Sequence, residues 1–154
     1  MRRIILCVLC VGLLSACGTK QEEPVETTPQ YLADRSCVFD MYADEAVLNL
    51  EDDENFKSID ETSCTVVKDG SEVNVMYIEG NSLNDFPKAV HNSLEATDVS
   101  DLKNNSFSAD GVYYTFKKSV SNDYVMVSGN VDDKAYISEI CSRINMEEAD
   151  DEES

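Results

Sequence analysis

TSCTVVKDGSEVNVMYIE, residues 62–79, is the stretch that decides the fold of this chain. Its Asp69-Gly70 pair separates two runs rich in β-branched residues, and Asp-Gly in that setting predicts a β-hairpin because glycine adopts positive φ angles at low cost. Apolar residues fall on both faces of the second arm: Val73, Val75 and Tyr77 on one, Met76 and Ile78 on the other. A strand that is apolar on both faces is typical of the interior of a sheet.

A second hairpin is predicted further along the chain. Residues 111–118 and 123–131 alternate apolar and polar positions on either side of the short polar segment 119–122. Such alternation around a polar turn indicates two paired strands. Residues 97–106, which precede this hairpin, predict a polar connector.

The N-terminal side of the central hairpin also contains strand signals. Residues 36–42 are rich in β-formers, with their apolar side chains on one face, and predict a strand. Residues 46–50 fit either a strand or a short helix, and we favour the strand. The acidic run 51–55 that follows predicts a solvated turn.

Two segments have apolar residues at helical spacing. In residues 81–96 the apolar positions are Leu83, Phe86, Val90 and Leu94. In residues 134–146 they are Tyr136, Ile137, Ile140, Cys141 and Ile144. Intervals of three and four residues predict amphipathic helices, each with one face packed on the sheet.

These elements predict a single α+β domain over residues 36–146, an antiparallel sheet of five or six strands with two amphipathic helices on one face. About 110 residues are enough for one compact core and too few for two. The strand, acidic turn and helix that end the domain resemble Mog1/PsbP-like lipoprotein domains, so that fold is the alternative.

The first residues read MRRIILCVLCVGLLSAC, and their pattern is that of a secretory signal peptide. Arg2 and Arg3 precede an apolar run that is too short to cross a bilayer, which takes about 20 residues. The end of this segment, Leu14-Ser15-Ala16-Cys17, resembles the lipobox of bacterial lipoproteins. The resemblance implies cleavage after Ala16 and a lipid on the sulfur of Cys17.

The predicted boundaries are therefore a signal peptide at residues 1–16, a lipidated and flexible tether at 17–35, the domain, and an acidic disordered tail at 147–154. The resemblance implies a location on the outer side of a bacterial cell membrane. For a Gram-negative cell the outer membrane is left open as the alternative, since Gly18 stands where the inner-membrane retention signal of such lipoproteins has an aspartate. The sequence leaves the type of envelope open.

Charge narrows the range of partners. The chain has a net charge of −19, and removal of Arg2 and Arg3 with the signal peptide makes it −21. Nucleic acids are bound through clustered Lys and Arg, and no such cluster occurs in the sequence, so we expect no nucleic-acid partner. The expected partners are the membrane, through the lipid anchor, and an unknown protein or small ligand.

Three cysteines remain in the predicted domain: Cys37, Cys64 and Cys141. A compartment outside the membrane permits disulfides, and three cysteines allow one bridge. We favour Cys37 with Cys64, because both lie at or near predicted strands whereas Cys141 lies on the apolar side of a predicted helix. If reduced, all three are small buried hydrophobic residues.

Motifs for catalysis or cofactor binding are scarce. His91 is the only histidine, so two-histidine metal motifs are excluded, and we interpret it as a structural residue of its helix. The acidic runs lack the spacing of a calcium-binding loop, and we expect no metal or other cofactor. A ligand surface is the remaining hypothesis, formed by four tyrosines if one sheet face is open: Tyr77, Tyr113, Tyr114 and Tyr124.

The sequence therefore favours a non-enzymatic lipoprotein with a binding or envelope-associated role and no catalytic residues. The alternative is an enzyme of the envelope that uses a thiol or a carboxylate. A pairing of His91 with Cys37 or Cys64 would require these groups to be close in space.

Overall fold

The computed structural model describes residues 30–40, 44–79 and 85–148, which form nine strands and two α-helices. The strands are β1 (Ser36–Asp40), β2 (Asp44–Asn49), β3 (Asn55–Ile59), β4 (Ser63–Lys68), β5 (Ser71–Ile78), β6 (Ser106–Ala109), β7 (Val112–Lys118), β8 (Tyr124–Asn130) and β9 (Asn145–Glu148). The helices are α1 (Phe86–Ser93) and α2 (Lys134–Arg143), and a 3₁₀ turn, Val131–Asp133, leads into α2. The predicted α+β class is confirmed.

The strands form two antiparallel sheets. The larger has six strands in the order β3-β4-β5-β8-β7-β6, and the smaller has three in the order β1-β2-β9. The predicted sheet of five or six strands is the larger one, and β5 lies in its interior as expected. The predicted N-terminal strands are also present, but they belong to the smaller sheet, which the sequence did not indicate.

Both predicted hairpins are confirmed. In the central one, β4 and β5 pair from Ser63 opposite Met76 to Lys68 opposite Ser71. Asp69 and Gly70 have φ angles of +50° and +87°, which is the backbone of a tight hairpin turn. In the second, β7 and β8 pair over their whole length, from Val112 opposite Asn130 to Lys118 opposite Tyr124.

Three strands were missed. The register of β3 shifts between Phe56 and Ser58, so its apolar alternation is interrupted. The segment that forms β6 was not assigned, and β9 was assigned to the second helix and the acidic tail. Each is stabilised by pairing: β3 with β4, β6 with β7, and β9 with β2.

The helices are shorter than predicted. Residues 81–84 lie outside the described ranges, and α1 begins at Phe86 behind Asp85, whose carboxylate accepts a hydrogen bond from the N–H of Lys88. The predicted helix to residue 146 was too long, because α2 ends at Arg143 and the extended backbone of Ile144 leads into β9. Of the predicted strand 36–42, residues 41 and 42 are also outside the described ranges.

The two helices lie on opposite faces of the large sheet, so the prediction of both on one face was wrong. One face packs against α2 and the small sheet, and its core includes Val75, Val127 and Ile137. The other packs against α1, where Phe86 contacts Phe116 and Tyr124. The physical reason is that the central strands are apolar on both faces, and each face needs a cover.

Residues just before the predicted boundary at Ser36 also contact the domain. The N–H of Leu32 donates to the carbonyl oxygen of Phe56 at 2.9 Å, and the N–H of Leu50 donates to that of Arg35 at 2.9 Å. The Arg35 guanidinium also donates to the carbonyl oxygen of Glu54 at 2.7 Å. Residues 30–35, assigned to the tether from the sequence, are therefore hydrogen-bonded to the domain.

Candidate functional site

The four tyrosines proposed as a ligand surface do not lie together. Tyr77 and Tyr113 are buried on the face of the large sheet that is covered by α2 and the small sheet. Tyr114 and Tyr124 belong to the opposite face, where Tyr114 stacks on Phe107 and Tyr124 is buried beside α1. A common tyrosine surface was therefore a wrong prediction, because alternate positions of a strand point to opposite faces.

The outward face of β3, β4 and β5 is the part of the sheet that α1 leaves open, and it is polar. Ser58 donates a hydrogen bond to the Thr65 hydroxyl at 3.2 Å, and Thr65 donates to the Asn74 side-chain oxygen at 3.0 Å. Among the large apolar side chains of β5, Met76 is the exposed one, with 43% of its surface accessible to solvent. This face has neither an aromatic cleft nor a continuous apolar patch among the described residues.

His91 has a structural environment, as the sequence analysis expected. Its Nε2 lies 2.9 Å from the carbonyl oxygen of Ser100, which it can reach only as a donor. Its ring packs edge-on against Phe107, with 4.9 Å between ring centroids. Cys37 and Cys64 are in the core on the other face of the sheet. The structure therefore does not bring His91 together with either thiol.

Two buried carboxylates lie where the β7–β8 turn meets the start of β2. Asp44 accepts hydrogen bonds from the hydroxyls of Ser119 and Ser121, the latter at 3.1 Å. Asp123 accepts from the Tyr77 hydroxyl at 2.5 Å. Burial and the hydrogen bond to Asp123 raise the pKa of Tyr77, which keeps the hydroxyl protonated as the donor. The hydrogen bonds to Asp44 connect the small sheet to the large one, and the bond between Tyr77 and Asp123 lies within the large sheet.

A third buried carboxylate, Glu54, corrects the prediction of a solvated turn at residues 51–55. Its side chain is 0% exposed and accepts from Arg143 Nη2 at 2.5 Å, from Tyr136 Oη at 2.9 Å and from the N–H of Glu51 at 2.8 Å. Burial alone raises the pKa of this carboxyl, but the hydrogen bonds from Arg143, Glu51 and Tyr136 outweigh burial and lower it. Glu54 is therefore an ionised structural residue.

A groove of about 530 Å³ lies beside the edge strand β6, and we call it the β6 groove. Its lining residues are Ser100, Asp101, Lys103, Asn104, Ser106, Phe107, Ser108, Tyr113 and Lys134. The connector that carries the first four is held on β6 by hydrogen bonds: the N–H of Ser100 donates to the carbonyl oxygen of Ser108 at 2.9 Å, and the N–H of Ser108 donates to the Ser100 hydroxyl at 2.8 Å.

The charge of the β6 groove differs from that of the chain as a whole. Lys103 and Lys134 contribute two ammonium groups, and Asp101 is the one carboxylate in its lining. Lys134 Nζ lies 5.1 Å from the centroid of the Tyr113 ring, within cation–π range. Lys103 Nζ is 3.9 Å from Asp101 Oδ2, at the surface. The groove therefore has a local excess of positive charge in a chain whose net charge is −19.

Of the residues proposed from sequence, only Tyr113 lines the β6 groove. The sequence analysis missed the two lysines because they are 31 positions apart, as their numbers in the chain show, and their spacing has no pattern. A usable signal for the edge strand was overlooked: Asp110-Gly111 is a second Asp-Gly pair between strands, with φ angles of +44° and +82°. It places Ser106 and Ser108 opposite Thr115 and Tyr113.

Within residues 30–40, 44–79 and 85–148, His, Cys, Asp and Glu side chains do not gather in threes or more in a way that could hold a metal ion. Neither helix of the described chain has the length and apolar character needed to cross a membrane.

Comparisons of the chain with protein-family models, with curated proteins and with solved structures give no match. The lipobox resemblance and the Mog1/PsbP-like alternative therefore stay predictions from the sequence.

Proposed function

We propose that this chain is a bacterial lipoprotein, anchored through Cys17 outside the cell membrane, and that its α+β domain is a non-enzymatic binding module. The observation that carries the anchor is the order of the first residues: two arginines, a short apolar run and Leu14-Ser15-Ala16-Cys17. Two acyl chains would hold such a protein durably, because each buried methylene contributes about 0.8 kcal/mol.

Metabolic labelling with palmitate tests the anchor. The full chain, expressed with its leader in a bacterial host, should incorporate label and sediment with membranes, and Cys17→Ser should abolish both. The matched control is Cys141→Ser, which removes a cysteine of the folded domain and should leave the label unchanged. An unmodified Cys17, or a leader that stays attached to a protein in the soluble fraction, would contradict the anchor.

For the domain, we propose that the β6 groove binds a small anionic ligand. The support is that Lys103 and Lys134 both line an open groove in which Asp101 is the one carboxylate and the other polar side chains are those of serine, asparagine and tyrosine. The rest of the surface is acidic and repels anions. A small anion should therefore bind at this locally positive groove and not elsewhere on the domain. Ammonium groups attract carboxylate and phosphate oxygens as point charges.

Nuclear magnetic resonance titration tests the groove. Glutamate or inorganic phosphate should shift the backbone signals of residues 100–108 in a saturable way, and uncharged glycerol should not. Lys134→Gln should weaken the binding several-fold. Lys88→Gln is the control, since Lys88 is an exposed residue of α1 outside the groove. Equal binding by Lys134→Gln and the unaltered chain would contradict the proposal.

An envelope enzyme with a thiol or carboxylate mechanism is the alternative, and fewer observations support it. His91 and the thiols of Cys37 and Cys64 lie on opposite faces of the large sheet. The carboxylates of Asp44 and Glu54 are buried and accept structural hydrogen bonds. A thiol-directed probe that labelled the folded native protein rapidly would revive the alternative.

A further inference from the structure

Cys37 and Cys64 belong to different sheets and meet in the core between them. Cys37 is on β1 of the small sheet, Cys64 is on β4 of the large sheet, and they are 1% and 2% exposed. Both are free thiols in the structure, both belong to the same buried core, and each is the main influence on the pKa of the other. Two cysteines that are neighbours in a packed core can be bridged where the backbone holds their Cα atoms within about 7 Å.

We propose that Cys37 and Cys64 are oxidised to a disulfide that joins the two sheets and that Cys141 remains a free thiol. The proposal rests on the proposed location outside the membrane, since disulfides form and persist in oxidising compartments. The disulfide is a covalent modification that goes beyond the proposed binding function. It would fix how the two sheets pack on each other.

The third cysteine has a different neighbour. Cys141 lies on α2 and hydrogen-bonds to Thr115 of β7. Burial raises the pKa of its thiol, which disfavours the reactive thiolate. By contrast, the hydrogen bond from Cys64 lowers the pKa of Cys37. Within the folded domain, the contact with Cys37 and burial raise the pKa of Cys64, so Cys37 is the thiol of the pair that ionises more readily there.

The oxidant required is a disulfide of another molecule, either a disulfide-donating protein of the envelope or oxidised glutathione in the test tube. One of the two cysteines attacks, as its thiolate, one sulfur of that disulfide, forms a mixed disulfide and releases the first oxidant thiol. The other cysteine loses its proton and attacks the protein sulfur of the mixed disulfide, which releases the second. The two cysteines lose two electrons and two protons, and the oxidant disulfide becomes two thiols.

Burial sets the order of events. Neither sulfur is accessible in the folded domain, so the exchange has to take place before the small sheet closes on the large one. After closure the same burial protects the bridge from reductants. We therefore expect the folded protein to resist reduction until a denaturant is added.

Peptide mapping tests the pairing directly. The full chain is purified from membranes, alkylated in denaturant without reductant, and digested with trypsin. Cleavage after Arg35, Lys57, Lys68, Lys134 and Arg143 places the three cysteines in separate peptides: residues 36–57, 58–68 and 135–143. The expected result is a linked pair of the first two peptides and an alkylated third. Three alkylated peptides, or a link to residues 135–143, would overturn the proposal.

Stability measurements test the role of the bridge. Closing a loop between residues 37 and 64 should shift the unfolding equilibrium on the order of a hundredfold in favour of the folded state. Denaturation followed by reduction should therefore lower the thermal midpoint of the unaltered chain and of Cys141→Ala. It should leave that of Cys37→Ala/Cys64→Ala unchanged. If the double variant does not fold, the unaltered chain alone tests the bridge through its thermal midpoints before and after reduction. Equal midpoints in these two states would contradict the bridge.

The anchor and the bridge can fail separately. A chain that carries lipid on Cys17 but keeps Cys37 and Cys64 reduced overturns the bridge and leaves the proposed location intact. A chain that forms the bridge when refolded with glutathione, yet lacks lipid in the bacterial host, supports the bridge and removes the proposed anchor.

Discussion

Glu54 is the residue whose environment differs most from what its sequence neighbours indicate. It ends an acidic turn, yet its carboxylate is enclosed by Arg143, Tyr136 and the backbone of Glu51. The Arg143 Nε is buried without a partner among the described residues, and Glu54 at 2.5 Å is nearer to the guanidinium than the Asn49 carbonyl oxygen at 3.4 Å or the Glu51 carboxylate at 3.7 Å. A buried ion pair of this kind adds little compared with an apolar pair, but its disruption is costly.

We expect Glu54→Gln to lower the free energy of unfolding by roughly 2–3 kcal/mol, less than for a completely enclosed pair because Arg143 keeps some contact with solvent. Urea unfolding followed by circular dichroism would measure it. Asp52→Asn makes the same chemical change at an exposed position two residues away and should have little effect. Similar losses in both variants would show that the turn's charge matters rather than the Arg143 contact.

The same carboxylate predicts a pH dependence. The pKa of Glu54 is lowered in the folded state, so its contribution to stability is present above the unfolded value of about 4.3 and is lost as pH falls through the folded value. The difference in unfolding free energy between the unaltered chain and Glu54→Gln should be constant from about pH 7 to pH 5 and shrink below about pH 4. Urea unfolding across this range measures it. A difference that grows on acidification would contradict the assignment.

At the scale of elements, the contact between β8 and α2 requires a residue without a side chain. A Cβ at Gly129 would lie 2.9 Å from the carbonyl oxygen of Glu72 and 3.1 Å from Ile137 Cδ1. The first of these atoms is backbone of the neighbouring strand β5, so it cannot move aside without disturbing the sheet. Gly129 therefore sets how closely α2 approaches the large sheet.

Gly129→Ala should accordingly lower the free energy of unfolding by about 1–3 kcal/mol, because the added methyl overpacks this contact. Ser128→Ala, the adjacent residue on the opposite face of β8, is the control and should change stability much less. Urea midpoints for the two variants give the comparison. Equal midpoints would mean that α2 can shift to accept the methyl group.

Hairpins were the elements that the sequence predicted best, because a turn and its flanking strands are local. Asp69-Gly70 was recognised and its strand pairing is confirmed. Asp110-Gly111 carries the same signal, but we assigned it to the start of a strand rather than to a turn, so β6 was missed. The sequence of β9, Asn145–Glu148, does not itself predict a strand. This segment is a strand because it pairs with β2.

For the whole molecule, the net charge of −19 predicts a dependence of stability on salt. Repulsion among acidic groups destabilises the folded chain, and added ions screen it. The thermal midpoint should rise by several degrees between about 10 and 200 mM NaCl, where the screening length falls from about 30 Å to below 10 Å. Calorimetry measures this shift. Calcium chloride at matched ionic strength is the control, and a much larger rise with calcium would indicate a specific cation site instead.

By itself the sequence determined the α+β class, the two central hairpins, the approximate positions of two helices and the acidic character of the surface. Each of these depends on neighbouring residues, on periodicity or on composition. Only the tertiary structure decided which helix covers which face, how β1, β2 and β9 form a second sheet, and which acids are buried. Glu54 and Arg143 are 89 positions apart in the chain. No local pattern records such a contact, because its free energy arises only once the sheets and α2 have excluded water from both partners.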